Sequence, residues 1–224
     1  VVLEKKSAAH VSGRIRAGIL EPGTVKLLSR AGVGSRLKKE GLLHKGFYIA
    51  HEDQLHNISL EKYGKKSVTV YGQTEVTKDL MKKLEEINSN IFYNASNIEI
   101  HNIGRKTKAN FLYEKNRIEI SCDFIVGCDG FHGITKNYIP KSIKKIFKKE
   151  FNFGWLGILS NTKPISNELI YINNTNGFAL CSMRSETRSR YYLQCDIDDK
   201  VENWSDDRFW YNLNNALPSE IKNK

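Results

Sequence analysis

The chain has 224 residues and a formal net charge of +10, with 40% hydrophobic and 10% aromatic residues. That length is enough for one large domain or two smaller ones around a real core. No apolar run approaches the roughly 18 residues of a membrane helix, and four cysteines without a CxxC spacing speak against a zinc centre or a disulfide framework.

The expectation is therefore a cytoplasmic protein with reduced thiols, and the positive charge keeps nucleic acid and small anions as candidate partners. Val1 rather than Met opens the chain. "VVLE" reads as a strand already running there, which points to a longer protein. "EPGTVKLLSRAG" reads as a helix, with a Pro-Gly turn before it and Gly32 after it. "FYIA", "NISL" and "SVTVYG" alternate like strands. "TEVTKDLMKKLEEI" puts Val76, Leu80, Leu84 and Ile87 on one helical stripe, with Thr74 as N-cap.

Short strands follow in "SNIFYN", "SNIEIHNI", "ANFLYE" and "RIEIS", the last two joined by a turn at Lys115-Asn116. In "CDFIVGCDG" a buried apolar strand, Phe124 to Val126, runs into a Cys-Asp-Gly turn. "PKSIKKIFKKE" predicts a helix with Ile143, Ile146 and Phe147 inward and four lysines on a solvated face. Near Lys149 the texture changes. "FNFGWLGILS", "ELIYINN", "GFALCSMR" and "RYYLQCDI" are strand-like and separated by turns. "SDDRFWYNLNNALPSE" closes as a helix capped by Ser205, with Phe209 and Leu213 inward and Pro218 as its stop. The first part reads as α/β and the second as a mostly antiparallel sheet.

Four constellations could carry chemistry. In "FALCSMRSETRSRYYLQ", a hairpin turning near Glu186 sets Ser182 opposite Arg190 and Leu180 opposite Tyr192. Alternation then gathers Ser182, Arg184, Arg190 and Tyr192 on one face. Guanidiniums match a carboxylate in a bidentate fork, and hydroxyls complete its shell. An exposed polar face or an aromatic stacking platform for nucleic acid are the other readings. "GRIRAG" places two arginines between glycines ahead of a helix, which suits phosphate or a plain basic loop. "CDFIVGCDGFHG" delivers Asp129 to a strand end, where α/β folds bind ligands. Glu4 closes "VVLE" as the ribose-binding acid of a dinucleotide fold would, although the glycine-rich fingerprint would lie about 20 residues earlier. His44 is a lone histidine beside apolar residues. None of the histidines shows metal spacing.

Taken in order, "GRIRAGILE", "VTVYGQTEVT", "GCDGFHGIT", "FGWLGIL", "ELIY", "GFALCSMRSETRSRYY" and "WSDDRFW" resemble the flavin-dependent aromatic hydroxylases over essentially the whole chain. The resemblance implies an enzyme that uses FAD and NADPH to place one oxygen atom of O2 ortho to a phenol hydroxyl. It implies a fold of the α/β (α+β) type. Residues 1–149 would be a partial FAD-binding domain, and 150–224 a partial, mostly antiparallel β substrate domain. Glu4 matches the acid on the adenosine ribose. Arg14, Ile15, Arg16, Ala17, Gly18 and Ile19 match the loop along the flavin and its pyrophosphate, with Arg16 also tied to pyridine nucleotide. Gln73 matches a further FAD contact, Asp129 the second flavoprotein motif, and His132 an NADPH-linked histidine.

Ser182, Met183, Arg184 and Tyr192 match the segment that holds a benzoate carboxylate. Tyr171 matches the tyrosine on the phenol oxygen, Arg190 an arginine close to the flavin, and His44 the outer end of a proton relay. The implied substrate is thus a small aromatic carboxylate with a para hydroxyl, and the implied partners include neither nucleic acid nor membrane. Lys136 departs from the family, keeping the charge of an arginine but not its fork. The family's N-terminal fingerprint and its C-terminal region are not in the sequence. That C-terminal region brings a second flavin-binding stretch, a relay tyrosine and part of a homodimer interface. The expectation is that the 224 residues alone hold FAD weakly and do not turn over.

Overall fold

The computed structural model describes residues 1–15, 17–175 and 177–222. In chain order it contains β1 (Val2–Glu4), α1 (Ala8–Gly13), β2 (Ile19–Leu20), α2 (Pro22–Arg30), α3 (Ser35–Glu40), β3 (Leu42–His44), β4 (Gly46–His51), β5 (Gln54–Ser59), α4 (Leu60–Gly64), β6 (Val68–Val70) and α5 (Gln73–Glu86). There follow β7 (Ile91–Tyr93), β8 (Ser96–His101), β9 (Thr107–Tyr113), β10 (Asn116–Cys122), β11 (Phe153–Ser160), β12 (Leu169–Asn174), β13 (Gly177–Ser185), β14 (Arg188–Asp196), α6 (Asp206–Ala216) and α7 (Ser219–Lys222). The fold is mixed α/β with mostly antiparallel sheets. No helix among the described residues is long and apolar enough to cross a membrane.

The chain forms two compact units that interleave in sequence. One holds Val1–Arg14 and Leu84–Glu150, and the other holds Ile15–Lys83 and the residues from Phe151 onward. The change of texture near Lys149 coincides with one crossing between them. Strands β4 and β5, far upstream, nevertheless lie in the same sheet as β11 to β14.

That sheet has six strands in the order β11-β14-β13-β12-β4-β5, and only the β12–β4 pair is parallel. Alternation decides its two faces. Ala50, Ile170, Ile172, Ala179, Cys181, Tyr191 and Leu193 turn to one side and pack with Phe209, Leu213, Ala216 and Ile221 of the closing helices and with Leu217 between them. Helix α6 forms because its apolar residues recur at helical spacing and the Ser205 hydroxyl accepts from the Arg208 amide. Burying a Phe or Leu side chain contributes about 1.5–3 kcal/mol, so this helix fixes one face of the sheet and leaves the other open. Burial pushes the Cys181 thiol up to about 12. A smaller sheet, β2-β6-β3, adjoins a second core of Leu28, Val33, Leu37 and Tyr71.

In the other unit, β1 pairs with β7 in parallel, and β8, β9 and β10 form an antiparallel meander. Phe111 is buried there, and Phe92 meets Phe111 and Tyr113 edge-on at 5.1 and 5.0 Å.

Four local expectations are corrected. Phe124–Val126 is not a buried strand. Phe124 is 88% and Val126 80% exposed, and the segment joins no ladder. Three apolar residues make a strand only with a neighbour to satisfy their amides and carbonyls, and β1 and β7 pair with each other. The lysine-rich segment after Pro140 forms a single turn, with the Ile143 and Lys144 amides on the Pro140 carbonyl, and no helix beyond it. Its apolar stripe meets no surface, Phe147 being 93% exposed. A short amphipathic helix without tertiary packing does not hold. Helix α5 begins at Gln73, so Thr74 lies inside its first turn, and its stripe reaches a core only through Val76, while Leu80 and Ile87 stay exposed. The β9–β10 turn falls on Glu114 and Lys115, both with positive φ, and Asn116 already belongs to β10.

Candidate active site

The open face of the six-stranded sheet carries the side chains that alternation keeps out of the core. One transverse row runs Gly157, Tyr192, Leu180, Tyr171 through paired positions of β11, β14, β13 and β12. The next runs Leu159, Arg190, Ser182 across β11, β14 and β13. Neighbouring strands lie about 4.8 Å apart, so Tyr192 and Tyr171 are separated by about 10 Å with Leu180 between them.

Over this floor is a cavity of about 400 Å3. Its walls are Tyr171, Phe178, Trp155 and Tyr192, and Ser182, Met183 and Arg184 lie along β13. The loop Ala17–Ile19 and Val70 close it from the β2–β6 side. A second lobe of about 480 Å3, lined by Phe47, Ile49, Leu60 and Val68, shares Tyr171, Phe178, Leu169 and Ile19 with the first. The rings interlock edge-on, with Phe47–Tyr171 at 5.6 Å and Trp155–Phe178 at 5.2 Å.

The hairpin β13–β14 turns at Glu186-Thr187 and pairs Ser182 with Arg190, as the sequence pattern predicts. The register shifts between Met183 and Ser185, where Arg184 is the extra residue. Such a bulge re-aims a side chain. The Arg184 guanidinium is half-buried and reaches Gly18, where a methyl carbon would come within 2.6 Å of its Nη1. Among the described residues no carboxylate pairs with it. Burial first, and then the like charge of Arg190, hold its pKa below the usual guanidinium range, against the influence of Tyr192. Arg190 stacks its guanidinium 4.6 Å from the Tyr192 ring centroid. The Ser182 hydroxyl donates to the Arg190 carbonyl at 3.2 Å. The Tyr171 hydroxyl makes no hydrogen bond among the described residues. Arg188 is exposed and donates to Asn161 at 3.1 Å, away from this cluster.

The Ala17–Ile19 loop is held by two backbone bonds, Tyr71 N–H to the Gly18 carbonyl at 2.8 Å and Gln73 N–H to the Ala17 carbonyl at 2.9 Å. Tyr71 is anchored in turn, its hydroxyl donating to Asp79 at 2.7 Å. Arg36 ties Asp79, Glu75 and Glu40 together at 2.6, 2.6 and 3.1 Å. Hydrogen bonds from Arg36 and Lys78 hold the Glu75 carboxyl below its usual range.

The other expected residues lie elsewhere. His44 is 1% exposed and lines neither lobe. Its Nδ1 lies 2.9 Å from Glu168 Oε2, and its Nε2 has no hydrogen-bond partner among the described residues. Burial lowers its pKa, and the Glu168 charge only partly offsets this. Ile15 is 59% exposed on the loop, and Arg16 lies outside the described residues. In the other unit, the Glu4 carboxylate accepts from the Lys6 amide at 2.7 Å, and Arg14 follows the last turn of α1. Asp129 accepts from the Thr135 amide at 2.9 Å and its hydroxyl at 2.5 Å, which lowers its pKa. His132 is exposed and meets Phe131 edge-on.

Sequence reasoning missed Trp155, Phe178, Leu169, Gly157 and Glu168. Alternation in "FGWLGILS" and "ELIY" carries the signal for most of them. Glu168 had none, because its partner His44 is 124 positions away.

A family model described as an FAD binding domain matches residues 1–224. The p-hydroxybenzoate hydroxylase of Acinetobacter baylyi is 48% identical over 221 residues, which cover 98% of this chain and 55% of that protein. The chain thus spans about half the length of that relative. Among solved structures, the p-nitrophenol 4-monooxygenase PnpA of Pseudomonas putida DLL-E4 superposes with a TM-score of 0.79 at 15% identity, over 97% of this chain and 56% of its own. The flavin-dependent halogenase CmlS superposes with a TM-score of 0.73 at 13% identity, over 98% and 41%. At such identities the likeness is one of fold.

Proposed function

Because the chain belongs to the FAD binding domain family, we propose that its protein is a flavin-dependent hydroxylase that converts 4-hydroxybenzoate to 3,4-dihydroxybenzoate with FAD, NADPH and O2. The observation that carries this reading is Arg184, a half-buried cation without a carboxylate partner among the described residues, in a cavity walled by aromatic rings. A desolvated guanidinium favours a carboxylate in a two-pronged hydrogen bond. Aromatic walls favour a ring.

The residues fit FAD. The Ala17–Ile19 loop presents exposed Ala17 and Ile19 at the cavity. Gly72 behind it is open, the nearest atom to a Cβ there being Glu75 Cγ at 3.9 Å. This apolar strip with reachable backbone suits a planar ring system. Ile15, Ala17, Gly18, Ile19, Gln73 and Arg190 would hold the flavin in this unit, with Arg16 assigned by resemblance. Glu4, Arg14 and Asp129 are the FAD residues of the other unit in the same reading, and His132 is its NADPH residue. When bound and reduced, FAD supplies the activation of O2.

The chain's own residues do the rest. Arg184 takes the carboxylate. Ser182 turns its hydroxyl from the Arg190 carbonyl to the same anion, and the ring lies on Leu180 between Tyr171 and Tyr192. Tyr171 hydrogen-bonds the phenol oxygen and helps remove its proton, which makes the ring carbon beside it more nucleophilic. The proton's way out through His44 belongs to the same reading, as do the homodimer and a place in the cytoplasm, where the four free thiols persist.

The test is a calorimetric titration of the purified full-length protein with 4-hydroxybenzoate, benzoate and phenol, alongside chromatography of the product. Binding should follow the carboxylate, and 3,4-dihydroxybenzoate should form with NADPH oxidation. Phenol binding as tightly as 4-hydroxybenzoate, or no product with FAD and NADPH present, would overturn the reading.

A further inference from the structure

Gly157 stands at the end of the row Gly157, Tyr192, Leu180, Tyr171. A Cβ built on it would lie 2.8 Å from Tyr192 Cε1, 2.9 Å from Cδ1 and 3.6 Å from Cζ. Real carbons do not approach so closely. The Tyr192 ring therefore lies over the bare backbone of β11, leaning away from Leu180. Arg190 covers it at 4.6 Å, and Trp155 meets it edge-on at 6.5 Å. Gly157 does not line the cavity, and its φ is not one that demands glycine. In a strand, glycine weakens the ladder and marks a close approach. Here what approaches is the ring.

We propose that Gly157 sets the width of the cavity: it is the seat that lets Tyr192 lie outward and leaves the Leu180 floor open for an aromatic ring. The ligand's identity rests on the reading above, whereas the seat itself does not. Any side chain at 157 pushes the Tyr192 ring back over Leu180, toward Tyr171. Gly157 is a positioning residue that acts through Tyr192 alone.

The test is a double-mutant cycle of wild type, Gly157→Ala, Tyr192→Ala and the double variant, read in two ways. Denaturant unfolding needs no ligand. Gly157→Ala should lower the midpoint when Tyr192 is present and leave it unchanged or raised when position 192 is alanine, since contacting residues couple and others do not. In the second reading, Gly157→Ala should raise the 4-hydroxybenzoate dissociation constant by about tenfold in the Tyr192 background and change it less than about twofold beside Tyr192→Ala. Equal effects in both backgrounds, or none, overturn the seat. If Gly157→Ala fails to fold, folding of the double variant supports the seat, and failure of both overturns it. A wild type that ignores 4-hydroxybenzoate sinks the substrate assignment, while the unfolding cycle still decides on Gly157.

Discussion

The guanidinium of Arg184 rests against Gly18, with Nη1 2.6 Å from where a glycine-to-alanine methyl would stand. The contact joins the β13 bulge to the Ala17–Ile19 loop across the cavity. Arg184 is costly as it stands, because a desolvated cation without a counter-charge opposes folding. Arg184→Ala should therefore leave the melting temperature equal to or above wild type. A charge-assisted hydrogen bond contributes roughly 1.5–3 kcal/mol, so the 4-hydroxybenzoate dissociation constant should rise at least about tenfold. Arg184→Lys should fall between, keeping charge and losing the fork. Ser182→Ala should cost less than either, since its hydroxyl only exchanges the Arg190 carbonyl for the ligand. Calorimetric titration and thermal melts check all three.

Gly18→Ala should be worse for stability than Gly157→Ala. Its new methyl meets Gly72 Cα at 2.8 Å and the Tyr71 carbonyl at 3.0 Å, both backbone, besides the arginine. Backbone cannot swing aside as a ring can. Overpacking of this kind costs about 1–3 kcal/mol, and urea unfolding should show it as a lower midpoint at unchanged slope. A midpoint equal to wild type would mean the loop gives way freely.

Tyr171→Phe separates chemistry from packing. The ring holds Phe47 and Phe178, and the hydroxyl has no partner to strand among the described residues. Stability and 4-hydroxybenzoate affinity should stay near wild type. The oxygen-transfer step should slow by about 10²–10⁴, the usual contribution of a positioned acid or base. Rapid-mixing kinetics with an unchanged transfer rate would remove Tyr171 from the chemistry.

The hairpin around Glu186 was legible in the sequence because two physical rules agreed there. A turn signal set the register, and period-two alternation set the face, so Ser182 and Arg190 met as expected. The helix from Asp206 was legible through its Ser205 cap and apolar spacing. Phe124–Val126 and the lysine-rich segment were misread because apolar pattern gives a preference, and a partner surface is needed to realise it. The Arg184–Gly18 contact, the His44–Glu168 contact and the close approach of Tyr192 to Gly157 are long-range relationships. Nothing local in "FGWLGILS" says which ring lies on Gly157.

His44 gives the pH prediction. It is 1% exposed beside Glu168, and burial lowers its pKa from the ordinary value of about 6.5. Between that value and the lower folded one, the unfolded chain binds a proton that the folded chain refuses. Stability therefore falls as pH drops below about 6.5 and levels off once the folded histidine is itself protonated. Carboxylates titrate mostly below this window, so melting curves from pH 7.5 to 5.5 isolate histidines. His44→Gln keeps hydrogen-bonding capacity without the titration, and should flatten this part of the wild-type slope while leaving the exposed histidines in place. An identical slope in His44→Gln would show that the buried imidazole accepts its proton as readily folded as unfolded.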